Sequence, residues 1–219
     1  MNNRLVFIVE GDSEVDFVES KLLPYLYSMQ ETVEGKWFFN AQKITTNRRR
    51  KAKGGNVGFE YLRNELNRVS AHGQPWITTF LDFFRLPADF PEFSTNSHDI
   101  DRMENAIARE MSIPHFVPYI QKYEFETLLF SDSEAFIPVV DDELQIRMIE
   151  ETIRSYVNAE EINGGPETAP SKRLMRIFGY EKVHDSHIIL ENLSIEQICQ
   201  HCPRFNAWIN KIKDVIRES

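Results

Sequence analysis

Acidic residues follow three of the predicted strands. Glu10 and Asp82 each end an apolar run, and Glu124 and Glu126 come shortly after a third such run. Parallel α/β sheets bind ligands beyond the carboxyl ends of their strands, so acids at these positions are candidates for one common site.

Carboxylate oxygens are hard ligands, which suit Mg²⁺ or Mn²⁺, and no convergent set of His or Cys residues indicates zinc. Such a site can activate water, orient a phosphodiester and stabilise the leaving oxygen. Glu14 follows Glu10 by four residues. Its carboxylate could ligate metal in the same crevice, or simply be a favourable charge at a helix N-terminus.

A cluster of basic residues lies in the string NRRRKAKGG, within a predicted loop from Asn47 to Gly58. The cluster consists of Arg48, Arg49, Arg50, Lys51 and Lys53, with no acid among them. We interpret it as a finger that binds the nucleic-acid backbone, and a solvated loop is the alternative.

A second basic pair, Lys172 and Arg173, follows Pro170 near the start of a predicted helix. Either side chain could contact phosphate or stabilise charge that develops during reaction, which makes Lys172 a candidate catalytic residue. The alternative is a capped helix with an exposed basic face.

Four apolar runs predict the strands that position these residues: Leu5–Val9, Trp37–Ile44, Trp76–Leu81 and Phe116–Ile120. Amphipathic helical patterns lie between them. This alternation predicts an α/β fold, with a Rossmann-like, mainly parallel four-stranded sheet flanked by helices.

The sequence changes character after residue 123, because no further strand is predicted and an apolar helical stripe follows Pro203. We therefore predict an α/β core over residues 1–122. Residues 123–219 are predicted to form a helical extension that packs on the core and completes the acidic site.

The charge balance narrows the possible nucleic-acid roles. The 219-residue chain has 25 Lys and Arg against 34 Asp and Glu, for a net charge of -9. This argues against a protein that coats nucleic acid non-specifically, since such proteins neutralise phosphates with excess Lys and Arg. A metal-dependent nuclease remains possible, because bound cations offset its carboxylates.

The two cysteines, Cys199 and Cys202, lie in a single predicted helix and indicate no disulfide framework. A reducing cytoplasm is therefore the expected setting. No apolar run reaches the length of a membrane span, and we predict a cytoplasmic protein that does not enter the membrane.

The string VEGDSE, residues 9–14, resembles the hhhEGxxE opening of Toprim domains, the fold of primases, topoisomerases and the nuclease part of OLD (overcoming lysogenization defect) proteins. The strings TTFLDFFRLPADFP, YIQKYEFETLLFSD and INGGPETAPSKRL look like segments of a bacterial family of unknown function assigned to the Toprim-like group. The resemblance implies a Toprim-like sheet. It also suggests a nuclease that acts beside an ATPase in phage or plasmid defence.

Three acids match Toprim positions. Glu10 matches the glutamate that ligates metal in Toprim nucleases and serves as general acid or base in topoisomerases, and Glu14 matches a second acid of the nuclease-type members. Asp82 matches the first Asp of the DxD motif, but Phe84 stands where the second would be. The resemblance then leaves Asp89, Glu124 or Glu126 to replace the missing carboxylate.

The EFE triplet, residues 124–126, resembles the S-x-E element that completes the metal site of OLD-type nucleases. An extended triplet would place Glu124 and Glu126 on one face. In a helix the two side chains would diverge by roughly 200°, and only one could ligate metal. We favour Glu126, because Leu128 and Leu129 indicate a helix that begins nearby.

These observations favour a nuclease that hydrolyses DNA or RNA with Mg²⁺ or Mn²⁺, together with a separate ATPase subunit. The alternative is a non-catalytic Toprim-like adaptor that binds an ATPase or nucleic acid. A phosphatase or nucleotidyl transferase that acts on small molecules would use the same metal chemistry. The choice between DNA and RNA and the oligomeric state stay open.

Overall fold

The computed structural model describes residues 3–29, 36–47, 52–53, 57–84, 86–163, 165 and 167–218. The chain divides into two compact units. The first runs up to Gln121 and includes the residues from Asn210 onward, and the second runs from Lys122 to Ile209.

The first unit contains a parallel sheet. Its strands, with a separate two-stranded ribbon, are β1 Arg4–Val9, β2 Phe38–Lys43, β3 Thr45–Asn47, β4 Ala52–Lys53, β5 Trp76–Asp82, β6 Phe116–Val117 and β7 Ile120–Gln121. The sheet order is β2-β1-β5-β6, and β7 also pairs with β5. Every pairing in this sheet is parallel, which confirms the predicted fold class.

The central strand β1 explains why its sequence is continuously apolar. Residues Leu5 to Val9 are each at most 1% exposed, because β1 has a strand on either side and its side chains are covered on both faces. Val9 lies level with Lys43 in β2 and with Phe80 in β5, so the three strands reach the same edge nearly together.

Helices follow the strands where the apolar residues recur at helical spacing. They are α1 Asp12–Phe17, α2 Leu23–Met29, α3 Phe59–Ser70 and α4 Ile100–Met111. A π-helical turn, Val18–Leu22, joins α1 to α2. It ends two residues before Pro24, which cannot donate a backbone hydrogen bond, and a π turn is one way in which a helix departs from regular geometry.

Two details differ from the sequence prediction. The predicted strand Phe116–Ile120 is instead divided into β6 and β7, since Pro118 lies between them and has no N–H to donate to the ladder. The predicted loop Asn47–Gly58 also contains strand structure, because β3 and β4 pair antiparallel. Residues 48–51 and 54–56 of this segment lie outside the described residues.

The second unit has only helices and turns within its described residues, as predicted. Its helices are α5 Glu143–Arg154, α6 Pro170–Phe178, α7 Lys182–Glu191, α8 Ile195–His201 and the first part of α9 Pro203–Glu218. Three 3-10 turns accompany them, at Phe125–Ser131, Glu134–Phe136 and Ala159–Glu161.

Aromatic side chains form much of this unit's core. Phe136 contacts Phe130 and Phe178, with ring centroids 5.8 and 6.3 Å apart, and Phe178 contacts Tyr180 at 6.0 Å. Tilted and edge-on pairs of this kind add to the stabilisation from burial. These aromatic contacts thus hold the short 3-10 turns against the core of the unit.

Both cysteines are free thiols, as expected from their spacing. Cys202 is fully buried, and its Sγ lies 3.6 Å from the hydroxyl of Ser131. Burial raises the pKa of the Cys202 thiol well above its ordinary value. A thiol in this environment is a poor nucleophile.

Among the described residues, no helix combines the length and the apolar character that crossing a membrane requires.

Candidate functional site

Glu10 and Asp82 lie at the same edge of the parallel sheet. Asp82 is the last residue of β5, and Glu10 directly follows β1, its neighbour in the sheet. Both side chains are half-buried. The carboxyl ends of two adjacent parallel strands therefore carry these two acids, as the sequence predicts.

The register of the strands shows toward which face of the sheet the Asp82 side chain points. Phe80 contacts Phe17 of α1, with ring centroids 5.7 Å apart, so α1 covers the face to which Phe80 points. Side chains alternate along a strand, which places Asp82 on this same face. Val9 and Lys43, level with Phe80, point to it as well.

Glu14 folds back over the turn between β1 and α1. A Cβ atom on Gly11 would clash with Glu14 Oε2, and Glu14 is 2% exposed. Gly11 has φ of -128° and ψ of -178°, a conformation open to any residue. Glycine is favoured here by the close approach of the carboxylate and not by backbone torsion.

A lysine that sequence reasoning overlooked lies at the same edge. Lys43 ends β2, and its Nζ is 2.6 Å from Oδ1 of Asp12 in the first turn of α1. Lys43 lies inside the predicted strand Trp37–Ile44, one residue before its end, so the sequence pattern that marks Glu10 and Asp82 gives no signal for it.

Asp89 has a structural role. Its Oδ2 accepts a hydrogen bond of 2.9 Å from the backbone N–H of Phe59, the first residue of α3. A Cβ on Gly58 would lie 2.9 Å from the same oxygen. Asp89 therefore caps α3, which gives this carboxylate a use unrelated to the missing DxD acid.

The EFE triplet opens a helical turn. Glu124 is extended, with φ of -135° and ψ of 158°, and the 3-10 turn begins at Phe125. This is the case in which the two carboxylates of the triplet are predicted to diverge. Glu124 accepts hydrogen bonds from Ser171, at 3.0 Å from the backbone N–H and 3.1 Å from the hydroxyl.

Glu126 is buried in the second unit. The side chain is 1% exposed, and its Oε1 lies 3.4 Å from Nζ of Lys182. A carboxylate taken out of water needs a compensating charge, and Lys182 contributes one. Whether Glu124 or Glu126 ligates metal stays a prediction.

The two basic residues of α6, Lys172 and Arg173, have different surroundings. Lys172 is exposed. Arg173 donates from Nε to the carbonyl of Thr168 at 2.8 Å, and from Nη2 to the hydroxyl of Tyr156 at 2.7 Å. Arg173 is thus held by groups of its own unit, and phosphate contact by either residue stays a prediction.

One member of the basic cluster lies in the hairpin of β3 and β4, which follows β2 at the edge of the sheet beside Glu10. Lys53 lies in β4, and the other four members, Arg48, Arg49, Arg50 and Lys51, lie outside the described residues. The first strand of the hairpin, β3, begins two residues after β2 ends. The hairpin therefore starts from the edge that carries the acids.

The candidate metal ligands at this edge are carboxylates. Within the described residues, no three His, Cys, Asp or Glu side chains are grouped so as to hold a metal ion. Mg²⁺ usually keeps several waters and takes only one or two carboxylates, with substrate phosphates completing its shell. Glu10 and Asp82 offer oxygen donors of this type.

Fold and site together define an α/β protein with acidic residues at the carboxyl edge of a parallel sheet. The family described as "Domain of unknown function (DUF4276)" matches residues 9–213, and the chain belongs to this family. No curated protein and no solved structure matches the chain.

Proposed function

We propose that this protein is a metal-dependent nuclease, which hydrolyses phosphodiester bonds of DNA or RNA with Mg²⁺ or Mn²⁺. The observation that carries the proposal is the pairing of β1 with β5, which brings Glu10 and Asp82 to one edge of the sheet. The Toprim-like string VEGDSE supports it, because that string supplies Glu10, Gly11 and Glu14.

Glu10 and Asp82 would hold the cation, and Glu14 would hold it directly or through water. A divalent cation held at this edge would supply charge stabilisation for the phosphodiester and would lower the pKa of bound water. Gly11 contributes the space in which the Glu14 carboxylate lies against the backbone. The half-buried positions of Glu10 and Asp82 limit the water that competes for their oxygens.

Nucleic acid is the favoured substrate class because of the basic hairpin. Five of the six residues from Arg48 to Lys53 are Lys or Arg, in a chain whose net charge is -9. A small phosphorylated substrate needs no extended cationic segment, whereas a nucleic-acid backbone continues beyond the scissile bond. This favours the nuclease over a phosphatase or nucleotidyl transferase.

The resemblance to OLD-type nucleases extends the proposal to the cellular setting. We expect the protein to act in the cytoplasm as the effector of a phage or plasmid defence system, with a separate ATPase subunit controlling access to substrate.

Incubation of the purified protein with labelled DNA and RNA, in Mg²⁺, Mn²⁺ or EDTA, tests the proposal. Cleavage should require the metal, and Glu10→Ala should abolish it. The matched control is Glu110→Ala, which removes an exposed glutamate near the end of α4. Equal rates for Glu10→Ala and the wild type would refute the assignment.

One observation favours a second candidate, a non-catalytic adaptor that binds nucleic acid or a partner ATPase. Phe84 stands where standard Toprim enzymes carry a second aspartate, which removes a metal ligand. An adaptor would bind labelled oligonucleotide without cleaving it in any divalent metal, and Asp82→Ala would leave its affinity unchanged. Metal-dependent cleavage that is lost in Asp82→Ala would exclude this candidate.

A further inference from the structure

We propose that Lys43 binds a phosphate of the nucleic-acid substrate at the acidic edge, and that its ammonium group forms an ion pair with Asp12 in the absence of substrate. The inference rests on the proposed function, since it takes the substrate to be a nucleic acid. It adds a binding residue and places the substrate backbone on the β2 side of the site.

The position of Lys43 complements that of Asp82. In the order β2-β1-β5, Lys43 ends the strand on one side of β1 and Asp82 ends the strand on the other. Neighbouring strands lie roughly 5 Å apart, so the two strand ends are separated by about 10 Å. Both residues share the sheet face covered by α1. A phosphodiester chain that crosses β1 at this edge from the side of β2 would meet the ammonium group of Lys43 first and the carboxylates of Glu10 and Asp82 next.

The surroundings of Lys43 hold its charge in place. The Lys43 side chain is only 13% exposed, although its Nζ pairs with an Asp12 side chain that is 72% exposed. The covered aliphatic stem fixes the ammonium group at the edge of the sheet. Ion pairs with such an exposed partner contribute little to stability, so a phosphate can replace the carboxylate of Asp12.

The chain continues from Lys43 into the basic hairpin. Only Ile44 separates Lys43 from β3, and the sequence between β3 and β4 carries Arg48 to Lys51. Lys43 is therefore close in sequence to the basic cluster and lies at the acidic edge in the structure. The order of these charges along the sequence favours a substrate backbone that approaches β1 from the side of β2.

The test measures binding in the absence of cleavage. Fluorescence anisotropy of a fluorescein-labelled 20-nucleotide DNA strand, and of the same RNA strand, is followed in EDTA over a range of NaCl concentrations. Lys43→Gln should weaken binding by roughly 3- to 10-fold and reduce the slope of log affinity against log salt by about 1, as loss of one phosphate contact requires.

Lys36→Gln is the matched control. Lys36 lies just before the amino end of β2, with its Nζ 5.6 Å from the ring centroid of Phe38. The substitution removes the same charge from the opposite end of the strand, and it should leave both affinity and salt slope near the wild-type values. Equal losses in the two variants would overturn the proposal, as would wild-type protein that binds neither strand.

The Asp12→Asn variant distinguishes a role of Lys43 in substrate binding from a purely structural role of the ion pair between Lys43 and Asp12. It should tighten binding in the wild-type background, because it releases Lys43, and the gain should shrink when Lys43→Gln is also present. An equal gain in both backgrounds, or a loss of affinity, would show that the pair serves only the fold. Thermal unfolding of each variant verifies that the protein remains folded.

The nuclease proposal and this inference fail separately. Wild-type protein that binds the strands through Lys43 but never cleaves them would count against the nuclease alone. Metal-dependent cleavage with unchanged binding in Lys43→Gln would overturn the role of Lys43 alone.

Discussion

The carboxylate of Glu14 occupies the space where a side chain at position 11 would begin. A Cβ on Gly11 would clash with Glu14 Oε2, and Glu14 is almost fully buried. The positions of Gly11 and Glu14 in VEGDSE therefore depend on each other. The glycine keeps open the space beside the turn, and the glutamate fills it with a carboxylate.

Gly11→Ala should displace the Glu14 carboxylate while leaving the sheet intact. The new methyl group meets the flexible end of a side chain, and the backbone torsions of Gly11 suit alanine. If Glu14 supports a metal site, we expect Mn²⁺ affinity to fall by roughly 10- to 100-fold, the range found when groups that orient metal ligands are changed. Isothermal titration calorimetry measures the affinity.

Gly58→Ala is the control for this experiment. Its Cβ would lie 2.9 Å from Asp89 Oδ2, so the same substitution disturbs a different carboxylate. It should alter stability but leave Mn²⁺ affinity unchanged. Similar affinity losses in both variants would mean that the Gly11 effect is not specific to Glu14.

Asp89→Ala should weaken α3 without affecting metal binding. The substitution leaves the backbone N–H of Phe59 without the acceptor that lies 2.9 Å away in the structure. Loss of a helix cap costs about 1 kcal/mol, and urea unfolding should show a decrease of this size. A loss of Mn²⁺ affinity in Asp89→Ala would instead give this residue the role of the missing DxD aspartate.

The acids at the strand ends were predictable because the pattern behind them is local. A buried strand between two neighbours is continuously apolar, so the first acid after Val9 marks the edge of the sheet. The same reasoning predicts Asp82 at the end of β5. It does not predict Lys43, because β2 is not continuously apolar and a lysine does not fit a metal ligand.

Contacts between distant residues were not predictable in this way. Asp89 caps a helix that begins 30 residues earlier, and Glu124 binds Ser171, which lies 47 residues later. In the sequence, these capping carboxylates cannot be distinguished from candidate metal ligands, because only the fold decides which backbone N–H each of them contacts. The division of the fourth strand, by contrast, follows from Pro118 and was open to prediction.

Glu124→Ala should destabilise the start of α6. It removes the acceptor for two hydrogen bonds from Ser171, one of them from the backbone. Hydrogen bonds to a charged group contribute about 1.5 to 3 kcal/mol, and a loss in this range is expected in urea unfolding. Ser171→Ala keeps the backbone bond and should lose less. An unchanged stability in Glu124→Ala would contradict this capping role.

Glu160 should make the stability of the second unit depend on pH. Its carboxylate accepts hydrogen bonds from the backbone N–H groups of Arg204 and Phe205, at 2.7 and 3.0 Å, where α9 begins. Burial nevertheless raises the pKa of Glu160 above its usual value of 4.5. The folded protein therefore holds this proton more tightly than the unfolded chain does.

The sign of the effect follows from that difference in proton affinity. The contribution of Glu160 to stability is complete below pH 4.5 and is lost as pH rises through the raised pKa. The difference in unfolding free energy between the wild type and Glu160→Gln should thus decrease as pH increases. Urea unfolding at several pH values measures it, with Glu196→Gln on α8 as the control for loss of one charge. A difference that is constant with pH would contradict the prediction.

The central claim, that Glu10 and Asp82 form a divalent metal site, is tested most directly by a crystal structure of the protein soaked in Mn²⁺, with anomalous scattering used to locate the ion. The account predicts an anomalous peak at the carboxyl edge of β1 and β5, coordinated by oxygens of Glu10 and Asp82. The same soak of Glu10→Ala should give no peak there. A fully soaked wild-type crystal with no peak at this edge would contradict the account.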